Sequence, residues 1–281
     1  VSTEKWTTII KPQERLFDLK LKETWRYRDL IAMFVKRNFS TIYKQTILGP
    51  LWVLITPLIT TLIQTLVFGN IAEIGTNGTP QFLFYMCGTL IWTFFQSSFS
   101  EICNTFADNA YIFGKVYFPR LVMPITTMFS NLIQFTIRFL MFAGFWVYYM
   151  IVSGIRPNIS LLLVPVYLLC SALMGIGFGI IISSLTTKYK DLQMVVKVLI
   201  GYLIYLAPVV YPLSETHGRI RTFMLCNPMT SVVEGFRYAF LTSGDFPPVG
   251  SLIYTIAFSI VIFCIGMVMF NRAERTFMDT V

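Results

Sequence analysis

The chain has 281 residues, of which 55% are hydrophobic and only 13% charged, where soluble domains carry about a quarter charged. A water-soluble fold of this size cannot hide so much apolar surface, which excludes ordinary cytosolic, disordered and disulfide-rich secreted classes. The formal net charge of +8 is distributed as a membrane-topology signal, so it does not point to nucleic acid.

In chain order, residues 1–46 form a charged, aromatic-rich segment with no signal-peptide core; its longest uncharged run is Leu30 to Val35. From Tyr27 the apolar residues Leu30, Ile31, Phe34, Phe39 and Ile42 recur at helical spacing, with Arg26, Lys36, Arg37 and Lys44 on the other side. This predicts an amphipathic helix lying on the inner membrane surface, with a helix packed on its own protein as the alternative. A Gly49-Pro50 break follows.

Beyond it, uncharged runs at 45–72, 74–100, 157–187 and 246–271 are each long enough, at about 1.5 Å per residue, to cross a hydrocarbon core of roughly 30 Å. Two further runs are interrupted by one charge each, Arg138 in 121–152 and Lys197 in 192–212. The expectation is an all-α integral membrane protein whose 47–281 domain has six spans, near 47–70, 82–103, 121–152, 160–185, 192–212 and 249–271. Seventeen Lys and Arg then fall on one side of the membrane and four on the other, which places both termini in the cytoplasm.

Residues 213–248 form the one sizeable external segment. The apolar stretch Met229 to Leu241 is too short to span and is flanked by Pro228 and Pro247, so short re-entrant or interfacial helices are predicted before the last span. Its Glu234 and Arg237, three residues apart, read as a structural pair. The fourth span carries Ser171, Gly175, Gly179 and Ser183 on one stripe, with Gly177 beside it, a face built for close helix packing. Among the five cysteines only Cys226 is external, so no external disulfide can form within the chain.

Chemistry is sparse. Gly114-Lys115-Val116 lacks the earlier glycine of a phosphate loop, and intramembrane carboxylates or histidines that could relay protons or sodium are missing. Arg138 is the one anomaly, because a mid-span arginine costs a few kcal/mol or more unless paired or hydrated. It reads either as a contact near a polar translocation path or as a structural partner of Glu101.

Six runs together resemble a known family: Arg26-Tyr27-Arg28-Asp29-Leu30; Tyr43 through Trp52 with Pro57-Leu58; Lys115-Val116-Tyr117-Phe118-Pro119-Arg120; Lys188-Tyr189-Lys190-Asp191; Pro208-Val209-Val210-Tyr211-Pro212; and Asn227-Pro228-Met229-Thr230 with Glu234-Gly235-Phe236-Arg237. In order and over nearly the whole chain, they look like membrane subunits of bacterial ABC transporters that export polysaccharides or polyol phosphates, of O-antigen or teichoic-acid type. The resemblance implies an inner-membrane homodimer around a channel, with two copies of a separate ATPase that binds ATP and Mg, a lipid-linked polysaccharide as substrate, and no enzymatic activity or bound cofactor in this chain. It also implies that the amino-terminal helix and the 104–120 loop contact the ATPase, and that the short external helices help to close the outer mouth. The chain departs from the family in the third span, where Gln134 and Arg138 stand in a region that often holds an acid.

On that reading the docking residues are Asp108, Asn109, Lys115, Tyr117 and Arg120, in a short helical loop between spans two and three. Sugar rings pack their C–H faces on aromatics, so the path candidates are Tyr85, Trp92, Phe95 and Phe99 on span two and Tyr202, Tyr205 and Tyr211 on span five, with Arg138 nearby. Core or lipid-facing packing is the alternative for each. Competing functions are a drug or lipid exporter, or a transferase on lipid-linked sugars; the latter needs a cluster of groups that Glu101, Asp108, Asp191 and His217 do not supply.

Overall fold

The computed structural model describes residues 21–43, 48–113, 115, 118–186, 191–242, 244 and 246–277, and every regular element among them is helical. Two helices, α1 (Leu21–Arg26) and α2 (Arg28–Tyr43), form the amino-terminal arm. The expected amphipathic pattern is realised: Ile31 and Phe34 are buried against Phe118, Val122 and Met123, while Arg26, Lys36 and Arg37 are exposed. Lys44 and the side chain of Ile42 lie outside the described residues.

The first long apolar element, Gly49–Ile71, enters through a 3-10 turn with Pro50 at its start, continues as α3 (Trp52–Gln64) and ends in a wider π-helical stretch, Thr65–Ile71. Pro57 lies within α3, where it removes a backbone donor. Hydroxyls of Thr60, Thr61 and Thr65 fold back on carbonyls four residues earlier, a local arrangement available to threonine where water is scarce.

Helix α4 (Gln81–Cys103) is the centre of the molecule, flanked by α3, by α7 (Val122–Ser153) and by α8 (Val164–Thr186). It is buried on nearly all sides from Leu83 to Phe95. Two one-turn helices, α5 (Thr105–Asp108) and α6 (Ala110–Phe113), join α4 to α7. A 3-10 turn, Ile159–Leu163, leads into α8, whose other flank carries α12 (Val249–Phe277).

The glycines of α8 set these approaches. A Cβ on Gly175 would sit 2.9 Å from Ser98 Cβ and one on Gly179 2.8 Å from Ile102, both on α4. A Cβ on Gly177 would meet the Ile262 carbonyl of α12 at 2.8 Å, and one on Gly266 the Gly177 carbonyl at 2.8 Å. The small-residue stripe is therefore consumed inside the subunit, with α4 on one side and α12 on the other.

Among the described residues, four helical stretches are long and apolar enough to cross a membrane: Gly49–Ile71, Val122–Ser153, Ile159–Thr186 and Val249–Arg272. The fifth expected span differs from its sequence reading. Helix α9 (Asp191–Tyr202) ends in a 3-10 turn, Leu203–Leu206, and at Ala207 the backbone is extended, with φ −115° and ψ 149°. Pro208 is the cause, because its ring excludes helical geometry at the preceding residue. Residues 207–210 then run, buried, into the core. The 213–248 segment, expected to be external, contains α10 (Gly218–Cys226) and α11 (Pro228–Leu241). Twelve of the fourteen residues of α11 are buried, against α4, α8, α12 and the Ile159–Leu163 turn.

Candidate functional site

The break in the fifth segment and the buried helix α11 are tied together by one side chain. Arg237 is 1% exposed; its Nη1 donates to Glu234 Oε1 at 2.9 Å and its Nη2 to the carbonyls of Pro208 and Val209 at 2.8 and 3.0 Å. Its guanidinium carbon lies 3.8 Å from the centre of the Phe84 ring, a cation–π contact, and the space it occupies exists because residue 88 is glycine. The two carbonyls belong to the non-helical stretch and have lost their helical donors, so Arg237 supplies the hydrogen bonds the break removes. Glu234 Oε1 also accepts from the Leu213 amide at 3.2 Å.

The start of α11 is equally specified. Asn227 Oδ1 accepts from the Met229 amide at 3.0 Å with Pro228 in the first helical position, and Asn227 Nδ2 donates to the Leu206 carbonyl at 2.9 Å. Thr230 donates to Met224 O at 2.6 Å, and the Trp146 indole donates to Phe240 O at 2.7 Å. Gly235 admits the ring of Tyr167. Two of the quoted motifs, separated by about twenty residues, thus converge on one hairpin.

The aromatic candidates divide. Tyr85, Trp92, Phe95 and Phe99 are buried within the subunit, whereas Tyr202 and Tyr205 are 66% and 48% exposed. Trp92, Phe95 and Phe99 form a run with successive ring centroids 5.5 and 6.1 Å apart. Trp92 and Phe95 line an apolar cavity of about 330 Å³ together with Leu203, Leu206 and Pro228. Tyr211 donates to the Tyr205 carbonyl at 2.7 Å and lines a recess beside Glu73 and Glu215. Phe68, absent from the sequence-based candidates, bridges Tyr85 and Tyr205 with centroid distances of 6.5 and 6.4 Å. Its signal was weak, since it is one phenylalanine among 26. Arg138 Nη2 donates to Gln134 Oε1 at 3.2 Å on its own helix and lies within electrostatic reach of Glu101 across the α4–α7 seam.

At the opposite end, the α5–α6 loop exposes Asp108 and Lys115, with Asn109 half-buried and its amide turned back onto the Thr105 carbonyl at 2.9 Å. Tyr111 is 63% exposed between them and was missed by sequence reasoning, although its helical spacing from Asp108 was available. Arg120 is 8% exposed, at the base of the loop rather than on its surface. Tyr117 lies outside the described residues.

A family model described as ABC-2 type transporter matches residues 29–241, a range that runs from the arm through α11. The chain belongs to the ABC-2 type transporter family. It is accordingly a membrane-embedded subunit of an ABC transporter. Among its relatives, the O-antigen export system permease protein RfbA of Klebsiella pneumoniae is 26% identical over 93% of this chain and 98% of its own length. The protein of the same name from Myxococcus xanthus is 26% identical with the same coverage. The polysialic acid transport protein KpsM of Escherichia coli is 24% identical over 89% of this chain and 95% of its own length.

Proposed function

We propose that the chain is the membrane-spanning subunit of an ABC exporter that carries a lipid-linked polysaccharide of O-antigen type across the bacterial inner membrane. Two copies enclose the channel, and two copies of a separate ATPase, holding ATP and Mg, dock on the cytoplasmic side. The observation that carries this reading is near full-length similarity to two O-antigen permeases and a polysialic acid transport protein. A drug or lipid exporter has no comparable support.

Six crossings complete the architecture. Helix α4, with 23 residues, reaches about 34 Å and is long enough to span although more polar than the other four. The fifth crossing combines α9, only about 18 Å long, with the 3-10 turn and the non-helical residues 207–212. With the termini cytoplasmic, the α10–α11 hairpin lies at the outer mouth and the α5–α6 loop faces the ATPase. Asp108, Asn109, Tyr111 and Lys115 form the docking face, and Arg120 supports it from beneath. Polymer passes along an aromatic track in which Tyr202 and Tyr205 are the exposed members and Phe68 links Tyr205 to Tyr85.

The test is removal of the chain from its native host. Surface polysaccharide should disappear while lipid-linked polymer accumulates on the cytoplasmic face, with recovery on re-expression beside the ATPase. Unaltered surface polymer in the deletion strain would overturn the assignment.

A further inference from the structure

Between α2 and the membrane-facing flank of α7 lies an open groove of about 870 Å³ that none of the described residues fills. Its walls are almost entirely apolar: Trp25, Ile31 and Val35 from the arm, and Phe129 and Ile133 from α7. The two helices touch at Ile31, Phe34, Val122 and Met123, and α7 then climbs away, so that Phe129 and Ile133 stand two to three turns above the contact. The wedge opens where an interfacial helix meets a spanning one. Along its rim Arg28, Ala32, Lys36 and Ser40 follow one another at four-residue spacing, which puts two cations on one edge about 12 Å apart. Among the described residues no acid lines the groove; Asp29, 4.0 Å from Arg28, is fully in solvent.

We propose that this groove is a binding site for one anionic phospholipid of the inner leaflet, its acyl chains against Phe129 and Ile133 and its phosphate between Arg28 and Lys36. Charge complementarity selects the occupant. An apolar wedge alone would accept any lipid, whereas cations at the height of the headgroups favour a net negative one, each by about fivefold near a membrane surface. The size falls within the range of specific ligand sites. The site would hold the arm at a fixed height in the membrane, and so fix the position of a segment that the proposed reading brings to the ATPase; the inference rests on that reading for the placement of α2 at the cytoplasmic surface.

The experiment is native mass spectrometry of the intact full-length chain taken from mixed phosphatidylglycerol and phosphatidylethanolamine nanodiscs. Wild type should retain about one phosphatidylglycerol per subunit with at least about fivefold preference. Arg28→Gln with Lys36→Gln should abolish the preference, and Ile133→Trp should lower retention of both lipids. Equal retention by the wild type overturns the site, as does a preference unchanged in the double variant, or an empty groove because a second copy of the chain covers it. Thiol labelling of Asp29→Cys in oriented vesicles separates the two failures. Labelling from the outer face removes the topology reading and the site with it, whereas inner-face labelling without lipid preference removes the site alone.

Discussion

At Arg237 a full positive charge is held in the apolar core by one carboxylate, two carbonyls and a phenyl ring. Such a group tolerates the loss of its whole network better than the loss of half of it. Glu234→Leu should lower the stability of the detergent-solubilised protein by about 3–5 kcal/mol, read as a fall in thermal midpoint. Glu234→Leu combined with Arg237→Leu should recover part of that loss; a double variant worse than both singles would show that the pair stabilises beyond its own charges. Gly88 is a second point of sensitivity, because a Cβ there would stand 2.8 Å from Arg237 Nη2 and 3.1 Å from the Val209 carbonyl. Gly88→Val should cost about 1–3 kcal/mol by the same measurement, and Gly144→Val, with open space around it, should cost far less.

Among the elements, α8 and α12 approach backbone to backbone at Gly177 and Gly266. Leucine at position 177 would push them apart over several turns, since no flexible side chain can yield there. Gly177→Leu should therefore abolish a folded, monodisperse peak in detergent, whereas Gly201→Leu, with nothing within 4 Å of its Cβ position, should elute as wild type. The α5–α6 loop tests differently, because its exposed charges can change without touching the core. Asp108→Lys with Lys115→Glu should leave the fold intact yet uncouple ATP hydrolysis from export, measured as ATPase activity against surface polymer in the assembled transporter. Unchanged coupling would place docking elsewhere. Arg120→Glu should instead lower protein yield, as expected of a buried residue at the loop's base.

For the whole molecule the decisive question is which aromatics meet the polymer. Single cysteines at Tyr202 and Tyr205 should react with a water-soluble thiol reagent, and their reaction should change when polymer synthesis is switched on. A cysteine at Tyr85, buried within the subunit, should stay protected in idle cells and open only during export. Protection of all three positions in both conditions would remove the aromatic track. The same membranes test the assembly: the purified transporter should contain two copies of this chain, and a single copy with full activity would contradict a channel shared between subunits.

Much was determined by the sequence alone. The membrane class, the existence of four long apolar helices and the amphipathic pattern of the arm follow from hydrophobicity, charge and spacing, which are local and additive along the chain. The motif at Asn227-Pro228 likewise announces a helix start, because capping and proline geometry act within a few residues, whereas the break at Pro208 lay unread inside the expected 192–212 span. Only the tertiary structure decided what each face meets. In α4 the apolar residues occupy nearly every direction, and lipid and protein interior are equally apolar, so no stripe marks which side turns inward. Hence Tyr85 and Trp92 could not be told from Tyr202 by pattern, and Phe68 could not be found. The pairing of Arg237 with carbonyls 28 and 29 residues away was equally hidden. It depends on a glycine in a third helix, and a contact between distant segments leaves no periodic trace.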